Sequence, residues 1–257
     1  MADEPASAPE TVPLPFADRS AAGRLLGARL QRMAADPASG LSLARAVVLA
    51  LPRGGVPVGR PVALALQVPL DVLVTRKIGY PPQPELGVGA VAEGGQPVFD
   101  AELLARLGLT EAALATVVSR ERAELDRRVA AYRGGRPAVP VRGRDVIVVD
   151  DGLATGVTAR AALRAVRAAG ARRTVLAVPV AAPASAAAML AEADLVIVLA
   201  GPAEFRAVGE WYQSFGQLKD ADVVALLTAS GSPGEQWTGP GETALRRVGP
   251  AHPAAPL

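Results

Sequence analysis

Residues 146–158, VIVVDDGLATGVT, constrain the chain more than any other stretch. Four apolar, β-branched residues run into two adjacent aspartates, Asp150 and Asp151. A glycine, a short small-residue loop and a second glycine follow, and then the helix-forming run ARAALRAVRAAG. The pattern predicts a buried strand, a tight loop and a helix. In open α/β sheets, ligands sit beyond the carboxyl ends of the strands. A loop opening into a helix N-terminus exposes free N–H groups and the positive end of the helix dipole, which suits an anion. The acidic pair ahead of that cradle repels a bare phosphate. It suits hydroxyl groups, a divalent cation, or both.

The rest of the chain predicts the same strand–helix alternation. Residues 16–36 read as a helix capped by Asp18 or Ser20, with an apolar stripe of Leu25, Leu26, Leu30 and Met33. AVVLALPRGGVPVGRPVALAL reads as strand, glycine turn and helix, and PLDVLVTRKIG as a strand ending at Arg76 and Lys77. The proline- and glycine-rich residues 80–95 read as a long mobile loop or loose hairpin. Residues 101–132 are helical in pattern, broken near Gly108, with Thr110 capping the second part. Two further buried strands flank a helix at 184–193, and a last helix starts near Asp220 or Asp222. The fold class is α/β: a doubly wound, mainly parallel five-stranded sheet with helices on both faces. Residues 1–15 and 229–257 read as disordered tails around a domain spanning 16–228.

Composition narrows the chemistry. The 257 residues contain no cysteine, and the only histidine is His252, so thiol nucleophiles, disulfides and histidine triads are excluded. The formal net charge is +2 and aromatics make up 4%, so nucleic acid is not an expected partner. No apolar run reaches membrane-spanning length. The acidic, proline-rich start is unlike a signal peptide, and a cytoplasmic protein is expected. No G-x-x-x-x-G-K-[ST] sequence is present, which argues against a P-loop nucleotide binder.

The 13-residue stretch resembles the phosphoribosyl diphosphate (PRPP) binding motif of type I phosphoribosyltransferases. Only Gly152 departs from it, where a larger apolar residue is usual. The order of the other elements agrees over about residues 16–227, most closely with a branch described simply as predicted phosphoribosyltransferases. The resemblance implies Asp150 and Asp151 at the ribose hydroxyls, partly through Mg²⁺, which would be the cofactor. It implies Ala154, Thr155, Gly156, Val157 and Thr158 around the 5′-phosphate. LPRGG, with Arg53 and Gly54, corresponds to the family's diphosphate loop, which often holds a cis peptide. Leu51–Pro52 and Pro52–Arg53 are the candidates, the proline bond being the cheaper. Arg76 and Lys77 resemble the diphosphate-facing pair of adenine-type enzymes. The loop at 80–95 falls where the family closes a flexible loop over the site. There Glu93 is the candidate acid–base residue and Glu85 the runner-up. Phe205, Trp211 and Tyr212 fall in the family's base-binding hood, formed by 200–228 with the N-terminal segment. Each is as readily explained by core packing.

Enzymes for 6-oxopurines commonly carry an aspartate just before the TG of the cradle. Ala154 stands there, which argues against a hypoxanthine or guanine enzyme. The implied activity is 5-phosphoribosyl transfer from PRPP to a nitrogenous base or other nitrogen nucleophile with diphosphate release, within nucleotide metabolism. The usual assembly of the family is a dimer, so a homodimer is expected. The alternative is a non-catalytic PRPP-binding regulatory protein, although no DNA-binding extension is visible.

Overall fold

The computed structural model describes residues 12–229. The expected tails therefore lie largely outside the described residues. Helix α1 (Arg19–Ala35) starts where Asp18 accepts a hydrogen bond from the Ala21 N–H at 2.7 Å. Leu26 and Leu30 of the expected stripe are buried, and Met33 packs partly against them. Leu25 is a correction: it is 38% exposed, because the face that packs on the next helix is carried by Gly23, Leu26, Gly27 and Leu30. Strand β1 (Ala46–Ala50) leads through the glycine turn into α2 (Gly55–Leu66) and back to β2 (Leu70–Val72).

Here the chain departs from the expected single strand. After Val72 it leaves the core sheet and forms β3 (Thr75–Tyr80), which pairs antiparallel with β4 (Gln83–Ala92) and, through it, with β5 (Val98–Phe99). The expected loop at 80–95 is thus mostly strand, and the hairpin alternative is the one realised. Its alternation is masked because Gly87 and Gly89 occupy crowded positions. A Cβ at Gly87 would lie 2.6 Å from Lys77 Cδ, and one at Gly89 would lie 2.8 Å from Phe99 Cδ1. Irregular register beside Ile78 and Gly79 absorbs the prolines at the turn.

Helices α3 (Ala101–Leu107) and α4 (Ala115–Arg133) follow, separated at Gly108 as expected, with Thr110 Oγ1 accepting from the Ala113 N–H. Then come β6 (Asp145–Val149), α5 (Val157–Ala168), β7 (Arg173–Val180), α6 (Pro183–Met189), β8 (Leu195–Ala200) and α7 (Asp220–Thr228). The core sheet has the order β2-β1-β6-β7-β8 and every pairing in it is parallel.

Successive side chains of a strand point to opposite faces. Val48, Ala50, Ile147 and Val149 therefore join α1, α2 and α7 in one core, with Leu26, Val58, Val62 and Val223. Val47, Leu49, Val146 and Val148 join α5 in the other, with Ala162, Leu163 and Val166. Burying both faces of β1 and β6 is what makes their sequences unbroken apolar runs. The small sheet lies on α5 through Ala90, Ala92 and Val98 against Val157, Ala161 and Ala165. Its far side, at Ile78 and Val88, is covered by Leu104 of α3, by Leu114 in the turn ahead of α4, and by Val117 and Val118 of α4. Among the described residues no helix is long and apolar enough to cross a membrane.

Candidate active site

From β1 the chain crosses through α2 to β2 at one edge. From β6 it crosses through α5 to β7 on the other side. The winding reverses between β1 and β6, and at such a point the loops leaving both strands splay apart to form a crevice. Two loops line it: the one after β1, carrying Arg53 and Gly54, and the one after β6, carrying Asp150, Asp151 and the cradle.

The first loop is pressed onto the second. Leu51 N–H donates to Val149 C=O at 2.8 Å, extending the ladder beyond both strands. The following Pro52–Arg53 peptide is cis, so the non-proline candidate is the one found. A Cβ on Gly55 would lie 2.6 Å from the Val149 carbonyl oxygen, and one on Gly54 would fall inside the Asp151 carboxylate. Both glycines are needed because no side chain fits between the loops.

Asp150 and Asp151 sit side by side, and Asp150 Oδ1 accepts from the Asp151 N–H at 2.8 Å. Burial and the neighbouring Asp151 charge push the Asp150 carboxyl well above the usual range. Burial also raises Asp151, against a lowering by Arg19. Arg19, at the first turn of α1, donates from Nε to Asp151 Oδ2 at 2.8 Å. Beyond the pair, Gly156 takes φ +75° at the N-cap of α5, a conformation that favours glycine. No side chain caps this helix, so its first N–H groups face outward. Ala154 and Thr155 are exposed, Thr158 is half-buried, and Gly156 and Val157 are buried. Ser185 Oγ donates to the Ala154 carbonyl, and Leu153 pairs with Ala181, so α6 and β7 hold the loop in place.

The other expected residues divide. Arg53 is exposed, with its guanidinium 3.8 Å from Asp220 at the start of α7. Adjacent strand positions put Arg76 and Lys77 on opposite faces. Lys77 lies opposite Ala90, on the α5 side, and is exposed. Arg76 lies on the α4 side, where Nη2 meets Glu121 Oε2 at 2.7 Å. The pair therefore does not converge on one ligand.

Glu93 follows β4 and is paired with Arg133. Arg133 is buried, also 3.3 Å from Asp71, and donates to the Val72 carbonyl at 2.9 Å. The second Glu93 oxygen, Oε2, is buried with no partner. Glu85 is exposed on β4. In the 205–215 segment, Phe205 and Trp211 stack with centroids 6.4 Å apart, both half-buried. Tyr212 is buried against Phe16, and its hydroxyl donates to the Asp151 carbonyl at 2.5 Å. It braces the acidic pair and offers no open stacking face.

Sequence reasoning missed Arg19. The residue after a helix cap is ordinarily solvent-facing, and nothing local marks this one as reaching a carboxylate 132 positions away.

A doubly wound sheet with an acidic pair and an uncapped helix start at its switch point defines a class of α/β proteins whose site lies in the crevice where the winding reverses. The phosphoribosyl transferase domain model matches residues 22–199, and the chain belongs to that family. Two Mycobacterium tuberculosis proteins, from strains H37Rv and CDC 1551, are provisionally named phosphoribosyl transferases. Each is 47% identical to this chain over 212 residues, 82% of this chain and 46% of its own length. The chain spans about half the length of these curated relatives. The crystal structure of TT1426 from Thermus thermophilus is 42% identical, with a TM-score of 0.70, covering 84% of this chain and 99% of that one.

The residues present fit Mg²⁺. Asp150 and Asp151 are two adjacent hard-oxygen donors whose mutual repulsion a cation would relieve. Among the described residues no cluster of three acidic, histidine or cysteine side chains forms a closed metal site. An ion there would need oxygens from water or a ligand as well.

Proposed function

We propose that this protein transfers the 5-phosphoribosyl group from PRPP to a nitrogen nucleophile, releasing diphosphate. The observation that carries this reading is the meeting of the acidic pair, the uncapped start of α5 and the Gly54–Gly55 turn at one switch point. The cradle at 154–158 takes the 5′-phosphate through backbone N–H groups and the hydroxyls of Thr155 and Thr158. Asp150 and Asp151 accept from the ribose hydroxyls and would hold Mg²⁺ beside them. That ion would supply charge neutralisation at the departing diphosphate. Arg53 and Lys77 face the diphosphate as cations. The bond from the anomeric carbon to the diphosphate oxygen breaks with its electron pair on the leaving group, the acceptor nitrogen bonds to that carbon, and the proton it sheds passes to the departing diphosphate or to solvent. Charge grows on the diphosphate as this happens, so fixed cations there favour the transition state.

We place Arg76 and Glu93 outside the reacting set. Each is held by a buried partner, Glu121 or Arg133, and serves as a brace. Phe205 and Trp211 remain the aromatic faces open to an acceptor. Ala154 leaves no carboxylate ahead of the TG pair to act on an oxopurine.

The test is diphosphate release from PRPP with Mg²⁺ across a panel of purines, pyrimidines and simple amines. Turnover with at least one acceptor is expected, and none with hypoxanthine or guanine. PRPP binding with no turnover on any acceptor would replace this reading with that of a regulatory protein.

A further inference from the structure

Arg19 makes three contacts that belong to two different parts of the molecule. Its Nε sits 2.8 Å from Asp151 Oδ2, with the two side chains only 12% and 15% exposed. Its Nη1 donates to the Gly216 carbonyl at 3.0 Å. Its guanidinium carbon stands 3.7 Å above the centre of the Phe215 ring. Phe215 in turn packs on Tyr212, whose hydroxyl holds the Asp151 carbonyl. Backbone bonds tie the same segment to the approach to α1: Phe16 N–H to Trp211 C=O and Gln213 N–H to Phe16 C=O, both 2.8 Å, and Ser214 N–H to Ala17 C=O at 3.0 Å. One guanidinium therefore links a site carboxylate to the strap at 205–216.

We infer that Arg19 is the resident counter-ion of Asp151, that a divalent cation must displace it to use the acidic pair, and that this displacement removes one of two ties between the strap at 205–216 and Asp151, the other being the Tyr212 hydroxyl on the Asp151 carbonyl. The inference rests on reading Asp150 and Asp151 as the cation and ribose site. Arginine stays protonated at every pH the protein meets, so proton loss cannot vacate the position. Only a competing cation can. Asp151 Oδ2 is already crowded: Gly54 abuts it on one side and Arg19 takes it on the other. A divalent ion and a guanidinium on one carboxylate oxygen repel each other. Arg19 thus keeps Asp151 neutralised while the site is empty and sets the threshold a cation must exceed. Once released from Asp151, it retains its contacts to Phe215 and Gly216, so the end of the strap loses its charged tie to the site while the backbone bonds to Phe16 and Ala17 hold the rest.

The experiment uses the full chain without PRPP and Mn²⁺ as an EPR-visible stand-in for Mg²⁺. Arg19→Gln removes the charge, and Arg19→Lys keeps it. Arg19→Gln is expected to bind Mn²⁺ about tenfold more tightly than wild type, while Arg19→Lys stays near wild type. Asp151→Asn is expected to abolish binding in both backgrounds. Hydrogen exchange over 205–216 is expected to quicken in wild type when Mn²⁺ is added, and to be fast in Arg19→Gln without it. Should Arg19→Gln fail to fold, Phe215→Ala weakens the latch without touching the carboxylate and is expected to tighten Mn²⁺ binding to a smaller degree. A folded Arg19→Gln, or in its place Phe215→Ala, with unchanged or weaker Mn²⁺ affinity overturns the inference, and persisting PRPP turnover in wild type would leave the proposed function standing. Absence of Mn²⁺ binding in wild type and variants alike would also overturn the inference, while PRPP turnover in wild type decides the proposed function separately.

Discussion

Gly54 is the residue where space is tightest. Its backbone is helical, φ −62° and ψ −34°, so alanine meets no conformational penalty there. The obstacle is purely steric, since a Cβ would collide with the Asp151 carboxylate. Gly54→Ala is expected to fold and to lose PRPP binding by at least tenfold, read by titration calorimetry. Asp150 makes the complementary case. Its folded-state carboxyl titrates above the ordinary value of 3.8, through burial and the Asp151 charge. The ionised form therefore opposes folding once the pH exceeds that value, and the penalty grows as pH rises through the folded value. Asp150→Asn keeps the acceptor for the Asp151 N–H and drops the charge. It should raise neutral-pH stability by about 1 kcal/mol while abolishing turnover, with the gain vanishing below about pH 4. Thermal unfolding at pH 7 and pH 3.5 checks both signs. These residues were legible in the sequence because each belongs to a short contiguous motif, LPRGG for Gly54 and VIVVDDGLATGVT for Asp150. Arg19 and Tyr212 were not, because their roles depend on partners far along the chain.

Among the elements, α4 has the largest influence on the site without lining it. It packs on the β3–β4 hairpin through Val117 and Val118 and grips it with Glu121, whose carboxylate takes both Nε and Nη2 of Arg76 at 2.9 and 2.7 Å. At its C-terminal end, Arg133 joins Asp71 at the end of the core sheet to Glu93 at the end of the hairpin. The hairpin, most of it expected to be a mobile loop, is therefore held at its base, on both strands, by one helix. Glu121→Gln leaves Arg76 without its buried counter-charge. It is expected to loosen the hairpin locally by about 1–2 kcal/mol, seen as roughly tenfold faster amide exchange over 75–80 with little change in global melting. The hairpin was poorly legible because its strand pattern is interrupted by glycines that make room for Lys77 and Phe99. The split of Arg76 from Lys77 follows from strand periodicity, but only once β3 is known to be a strand. Read as a strand terminus, the two had no reason to diverge.

For the whole molecule, acid sensitivity comes from carboxylates held by arginines at the surface. Glu124 is lowered from 4.5 to about 2 by hydrogen bonds from Arg127 and Arg128. Tyr132 lowers Asp220 and Arg164 lowers Glu192, each by a hydrogen bond. A depressed folded-state value gives stability that is present above the unfolded value and lost as pH falls through the folded one. Stability should therefore be flat near neutrality and decline from about pH 4.5 toward pH 2. Glu124→Gln should soften the decline by less than about 1 kcal/mol, since the pair is largely solvated. Denaturant midpoints across that range test it. The sheet itself was the most legible feature, because each core strand is an apolar run between turn signals. Its winding reversal has a further consequence. The chain passes from β2 and β1 to β6, β7 and β8 through the exposed Gly134 and Gly135, both at positive φ. A break in the polypeptide there coincides with the seam in the sheet between β1 and β6. One fragment would carry the glycine turn, and the other the acidic pair and cradle. Neither half should turn over PRPP alone, while the two expressed together should reassemble along that seam and recover activity. The fold is in this sense a heterodimer written as one chain, with its site at the joint.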